Sequence, residues 1–323
     1  MSVGAMALAA GVAALTVLLV GGPLGGLAAL RRLKGEIINP DLPERYRGKA
    51  GTPTMGGLLI LAGFCVGALV AGGWRIGGVL VVTLAFGAIG LLDDMLAQLR
   101  GRSLGLKARQ KLALQVAAAV IYTKWVMSAE HTLTVGWPGV HMWELGWLYL
   151  LFGTLFMVTM SNATNLADGM DGLAAGLTLL GAAALAIVGS VVAGVTPAAK
   201  EAPVAAMALA GACAGFLGFN RSPALVFMGD TGSLALGACL AAVSMLTGTE
   251  LPLLVIGAVF LAELLSVVIQ VISFKTTGRR VFRMSPLHHH FDRCGWPERK
   301  VVTAFWIAGG VAAALGLLLI PRP

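Results

Sequence analysis

An all-α fold that crosses a membrane many times is what this sequence predicts, and three observations carry the prediction. The 323 residues are 58% hydrophobic and only 12% charged, against about 25% charged in an ordinary soluble domain. The apolar residues gather into runs of membrane length. Lipid offers backbone amides no partner, so each run must satisfy its own hydrogen bonds as a helix. The basic residues, finally, crowd onto one set of loops.

Ten runs between polar breaks are expected as spans: 4–30, 57–73, 77–97, 112–126, 147–162, 172–194, 203–219, 232–247, 252–273 and 301–320. The first has no basic segment ahead of it and is too long for the apolar core of a signal peptide, so it is kept as a mature span. If successive loops alternate sides, then 31–56, 98–111, 163–171, 220–231 and 274–300 share one side and hold 19 of the 23 Lys and Arg residues. Arg75, Lys124, Lys200 and Arg322 remain for the other side. Basic loops stay in the cytoplasm, which makes the first side cytoplasmic and puts both termini outside. Residues 1–323 read as a single integral membrane domain whose chemistry sits on the cytoplasmic face.

Several function classes drop out on composition. Cys65, Cys213 and Cys239 lie in apolar runs and Cys294 in a basic loop, with no CxxC spacing, which argues against a disulfide framework or a zinc site. The net charge of +8 is a topology signal and a source of phosphate attraction. No soluble domain or aromatic stacking platform accompanies it, so nucleic acid is not an expected partner. An ion-coupled transporter needs polar sites near the bilayer midplane and often inverted repeats. Here there is no convincing repeat, and most of the key acids lie at cytoplasmic loops.

Ten of the fifteen acidic residues also fall on the cytoplasmic side, and five of these, Asp93, Asp94, Asp168, Asp171 and Asp230, occupy apolar or Gly-rich settings. Carboxylates kept at span ends are costly and therefore functional candidates. Asp93-Asp94 closes the third span. Adjacent helical residues point about 100° apart, so one can face a metal while the other faces a substrate or cation; a solvated helix end is the plainer alternative. In segment 161–176, Asn162, Asn165, Asp168 and Asp171 recur every third residue among glycines, more polar groups than a helix cap requires. Asp230 stands at the start of the eighth span between Gly229 and Gly232, where a helix N-terminus also attracts phosphate. SPLHHHF, 285–291, puts His288, His289 and His290 in the longest cytoplasmic loop. Three consecutive histidines cannot all ligate one ion, so a phosphate-binding or structural role is expected of them. Glu263, at membrane depth, is expected to be neutral or paired. Aspartates for a hard cation, magnesium rather than zinc, beside basic groups for phosphate describe a phosphoryl-transfer site.

The motifs GTPTMGG at 51–57, Asp93-Asp94, GLKARQK at 105–111, NATNLADGMDGLAAG at 162–176, GFNRSPALVFMGDTGS at 218–233 and SPLHHHF occur in this order. Together they resemble the bacterial phospho-N-acetylmuramoyl-pentapeptide transferases of the polyprenyl-phosphate N-acetylhexosamine-1-phosphate transferase superfamily. The resemblance implies a homodimer of ten-helix subunits in the bacterial cytoplasmic (inner) membrane, with magnesium as cofactor. It implies UDP-N-acetylmuramoyl-pentapeptide and undecaprenyl phosphate as substrates and UMP as the leaving product. Asp93, Asp94 and Asp230 match the essential aspartates, with Asp230 the implied magnesium ligand, and His288 and His289 match the catalytic histidine motif. Lys49, Thr54, Asn165, Asp168, Gly169, Met170, Asp171, Phe227 and Gln270 match the region that holds the uridine part of the substrate. One departure stands out: the family usually has Lys three residues after the second aspartate, and this chain has Ala97. Arg100, Lys107, Arg109 or Lys111 would have to supply that charge. A related enzyme transferring N-acetylhexosamine phosphate to a polyprenyl phosphate is the competing reading, and it would carry a different loop in place of SPLHHHF.

Overall fold

A computed structural model describes residues 3–32, 35, 48–72, 76–101, 105–129, 133–192 and 197–320. Of the basic residues used to read the topology, Lys34, Arg45, Arg47, Arg75, Arg102 and Arg322 lie outside the described residues. Helices dominate. In order they are α1 (Val3–Gly21), α2 (Gly26–Leu30), α3 (Gly57–Gly72), α4 (Gly77–Arg100), α5 (Ala108–Ala129), α6 (Tyr149–Ala167) and α7 (Leu173–Val192). They continue as α8 (Pro197–Asn220), α9 (Gly229–Thr247), α10 (Glu250–Ile256), α11 (Ala258–Thr277), α12 (Leu287–Arg293) and α13 (Glu298–Leu318). Among the described residues, eight helices are long and apolar enough to cross a membrane. This is a polytopic all-α membrane protein. Of the other expected spans, α3 is apolar but only 16 residues long, and α5 is diluted by Arg109, Lys111 and Lys124.

Two expected spans are each divided. The run 4–30 breaks between α1 and α2, where Pro23 has no N–H to donate and Gly25 turns left-handed at φ 79°. The run 252–273 breaks at Gly257, between α10 and α11. Segment 127–146, expected as a loop, instead carries an antiparallel hairpin, β1 (Thr134–Trp137) with β2 (His141–Glu144). The histidine segment, also expected as loop, is largely the short helix α12.

The core is organised around α9, in which every residue from Thr231 to Thr247 is buried. Helices α3, α4, α6, α7 and α8 pack against it. Lipid supplies no hydrophobic drive between helices, so close approach of small residues has to hold them. Gly90 on α4 is such an approach: a Cβ there would stand 2.1 Å from the Asp230 carbonyl oxygen. This contact presses the C-terminal half of α4 against the start of α9, which brings the Asp93-Asp94 pair to Asp230. Buried hydroxyls turn back on their own helices, with Thr164 Oγ1 donating to Met160 O at 3.0 Å and Thr247 Oγ1 to Val243 O at 3.0 Å. On the bundle exterior, Leu265, Ile272, Ile307 and Leu318 are exposed, as suits an apolar solvent.

Candidate active site

Where α4 and α6 end and α9 begins, the bundle forms a half-open cavity of about 1230 Å³. Asp93, Asp94 and Asp230 each offer it a carboxylate oxygen, all within 4.8 Å of one another. The two adjacent aspartates face different partners, as the helical turn between them requires. Asp93 Oδ1 accepts the Leu106 N–H at 2.8 Å, and its Oδ2 lies 3.9 Å from Lys111 Nζ. Asp94 points at α9. Its Oδ1 accepts the Asp230 N–H at 3.1 Å, while Oδ2 accepts the Thr231 N–H at 3.0 Å and the Thr231 hydroxyl at 2.6 Å. A residue of one helix thus caps the open amides of another. Asp230 Oδ1 accepts Asn165 Nδ2 at 2.7 Å, and the Lys111 ammonium pairs with its Oδ2.

This donor set suits a hard divalent cation, which takes oxygen ligands, better than a soft one. The Lys111 ammonium already answers the negative charge of Asp230 and Asp93. Lys111, Lys107 and Arg100 line the cavity together with Ala97: Arg100 ends α4, Lys107 lies in the loop that follows and Lys111 is on α5.

The residues matched to the uridine region largely converge. Lys49, Thr54, Asn165, Asp168, Gly169, Met170, Asp171 and Phe227 all line the cavity, as does His289. Gln270 and His288 do not. The Gln270 amide holds the 281–282 backbone: Nε2 donates to Phe282 O at 2.9 Å, and Oε1 accepts the Val281 and Phe282 N–H groups at 3.0 and 2.9 Å. His288 is fully buried, its Nδ1 3.1 Å from Glu263 Oε1 and its N–H donating to the same oxygen at 3.3 Å. Glu263 is therefore paired, through its Oε1, with the ring and the backbone N–H of His288. His288 Nε2 faces Gly169, where a Cβ would meet it at 2.2 Å. The ring supports the loop after α6 from behind, and the neighbouring His289 ring, 4.1 Å away between centroids, reaches the cavity.

Sequence reasoning gave no role to Gln115, Asn220 or Glu298. Gln115 Oε1 accepts from Asn162 Nδ2 at 2.8 Å. Asn220 ties the loop after α6 to the one before α9, accepting the Gly172 N–H at 3.0 Å and donating to Val226 O at 2.9 Å. The GFNRSP motif was the available signal for Asn220. Glu298, an acid directly after Pro297, reads in sequence as an ordinary helix start.

What such a cavity can do is transfer a phosphorylated group between two anions, and the class defined by fold and site together is the integral membrane phosphotransferases. Sequence comparison narrows the class. The profile of Glycosyl transferase family 4 matches residues 76–248, and the Phospho-N-acetylmuramoyl-pentapeptide-transferase signature 1 matches residues 49–61. The phospho-N-acetylmuramoyl-pentapeptide-transferase of Pelotomaculum thermopropionicum is 50% identical over 94% of this chain and 94% of its own. That of Moorella thermoacetica is 48% identical over 95% and 96%, and that of Heliobacterium modesticaldum 49% over 90% and 90%. The chain belongs to the phospho-N-acetylmuramoyl-pentapeptide-transferase family.

Proposed function

We propose that this protein transfers phospho-N-acetylmuramoyl-pentapeptide from its UDP-activated form to undecaprenyl phosphate, releasing UMP and forming the first lipid-linked peptidoglycan precursor. The observation that carries the reading is the convergence of Asp93, Asp94 and Asp230 with Lys111 and His289 in one cavity. We assign magnesium as the cation, with Asp230 as ligand and Asp93 and Asp94 beside it. Bound there, it would spread the charge of the diphosphate in the transition state. The second pKa of a phosphate monoester is about 6, so the lipid phosphate is largely dianionic at neutral pH and needs little help from a base. One of its oxygens bonds to the β-phosphorus as the bond from that phosphorus to the bridging oxygen breaks, and the electron pair leaves with UMP. Lys111, Lys107 and Arg100 offset the repulsion between the two anions. Asp93 positions the attacking phosphate or accepts its residual proton.

The uridine end of the donor is assigned to Lys49, Thr54, Asn165, Asp168, Gly169, Met170, Asp171 and Phe227. A base stacked on Phe227 would gain about 1–3 kcal/mol. His288 and Gln270 act on this pocket through the segments they hold. We further assign the site to the cytoplasmic face of the bacterial inner membrane, with ten spans, both termini outside, and two copies forming a homodimer. The concentration of Lys and Arg on one set of loops supports the orientation.

Purified protein given UDP-N-acetylmuramoyl-pentapeptide, undecaprenyl phosphate and magnesium is expected to release UMP only when all three are present. Equal release from a UDP-N-acetylhexosamine would assign the chain to the related hexosamine-phosphate transferases instead. No release from either donor would remove the transferase reading.

A further inference from the structure

We propose that Glu298 is a positioning residue for the nucleotide end of the cavity, an inference that rests on the function proposed above. Glu298 is the first residue of α13 and does not line the cavity. A helix start favours an acid there for its own sake, yet this side chain is committed elsewhere. Its Oε1 accepts the Asp171 N–H at 2.9 Å and lies 2.6 Å from Lys49 Nζ. Lys49 Nζ is also 2.6 Å from Asp171 Oδ1, and Asp171 Oδ2 accepts the Ala224 N–H at 3.0 Å. One carboxylate oxygen thus fixes both the backbone of the loop after α6 and the lysine opposite it, from 127 and 249 residues away in sequence.

The charges give this arrangement a direction. Two carboxylates, Asp171 and Glu298, share the Lys49 ammonium, leaving little positive charge there for a diphosphate. The ammonium also stands 6.0 Å from the centre of the Phe227 ring. This end of the cavity therefore suits the uncharged base and ribose, and Glu298 keeps Lys49 and Asp171 in the geometry that receives them. Without Glu298 the Asp171 amide loses its acceptor, and Lys49 loses one of the two carboxylates that orient it.

The test compares full-length wild type with Glu298→Ala and Glu298→Gln, measuring KM separately for the UDP-sugar and for undecaprenyl phosphate, with amide hydrogen exchange at Asp171. Glu298→Ala is expected to raise KM for the UDP-sugar about tenfold or more, with KM for the lipid phosphate within about twofold of wild type. Exchange at the Asp171 amide should rise in the same variant. Glu298→Gln retains an acceptor oxygen and should fall between the two. An unchanged UDP-sugar KM in Glu298→Ala, or an equal rise in both KM values, overturns the positioning role. Absence of wild-type turnover would defeat the proposed function instead, and exchange at Asp171 then decides the positioning role by itself: a rise sustains it and no change refutes it.

Discussion

Asp230→Asn is expected to abolish turnover and leave the protein folded. Asp230 is the carboxylate on which the site converges: Asn165 donates to one oxygen, Lys111 pairs with the other, and Asp93 and Asp94 stand within 4.8 Å. Its own backbone N–H is held by Asp94, so the helix start does not depend on its side chain. Asn keeps one oxygen for Asn165 but loses the charge that a divalent ion needs. Removing a single group that stabilises developing charge costs about 10²–10³ in turnover, and loss of a metal ligand should reach at least about a thousandfold. Thermal unfolding should stay near that of wild type. In the wild type, a chelator should stop turnover and added magnesium restore it. Near-normal turnover of Asp230→Asn at ordinary magnesium would refute its role as a ligand.

Asp94→Asn should fail differently, losing both activity and stability. Its carboxylate takes three donors from the first turn of α9, and the amide can satisfy only one side of that set. The NH₂ group would face an N–H, leaving donor against donor in a half-buried place. Hydrogen bonds to a charged group are worth about 1.5–3 kcal/mol each, so turnover should fall about a hundredfold as the start of α9, and Asp230 with it, shifts. Unlike Asp230→Asn, this variant should unfold at a visibly lower temperature. A turnover loss without any change in unfolding would mean that Asp94 acts on the reacting groups rather than as a cap.

Much of this was legible in the sequence because membrane segments and costly carboxylates are local signals. The runs around α4, α6, α7 and α9 fall where apolar length predicts them; Asp93 and Asp94 lie in the C-terminal third of α4, Asp230 in the first turn of α9, and Asp168 and Asp171 in the loop after α6. The breaks at 22–25 and at Gly257 were not legible, since hydropathy stays high on both sides of each. Nor was the 134–144 hairpin, whose four-residue strands are too short for an alternation pattern to stand out. Which residues meet across the cavity was hidden for another reason. Lys49 with Glu298, and Lys111 with Asp230, are pairings across 249 and 119 residues that no local pattern records. The separate placements of His288, against Glu263 and Gly169, and of His289, at the cavity, were also hidden, because adjacent identical residues look the same in sequence.

Direct transfer makes a prediction about phosphorus itself. A UDP-sugar carrying one sulfur in place of a non-bridging oxygen on its β-phosphate is chiral there, and the configuration of the lipid-linked product reports how many displacements occurred. Attack by the lipid phosphate in a single in-line step predicts inversion, with no UMP released when lipid is withheld. Net retention, or a phosphoryl-sugar trapped on Asp93 or Asp94, would contradict it.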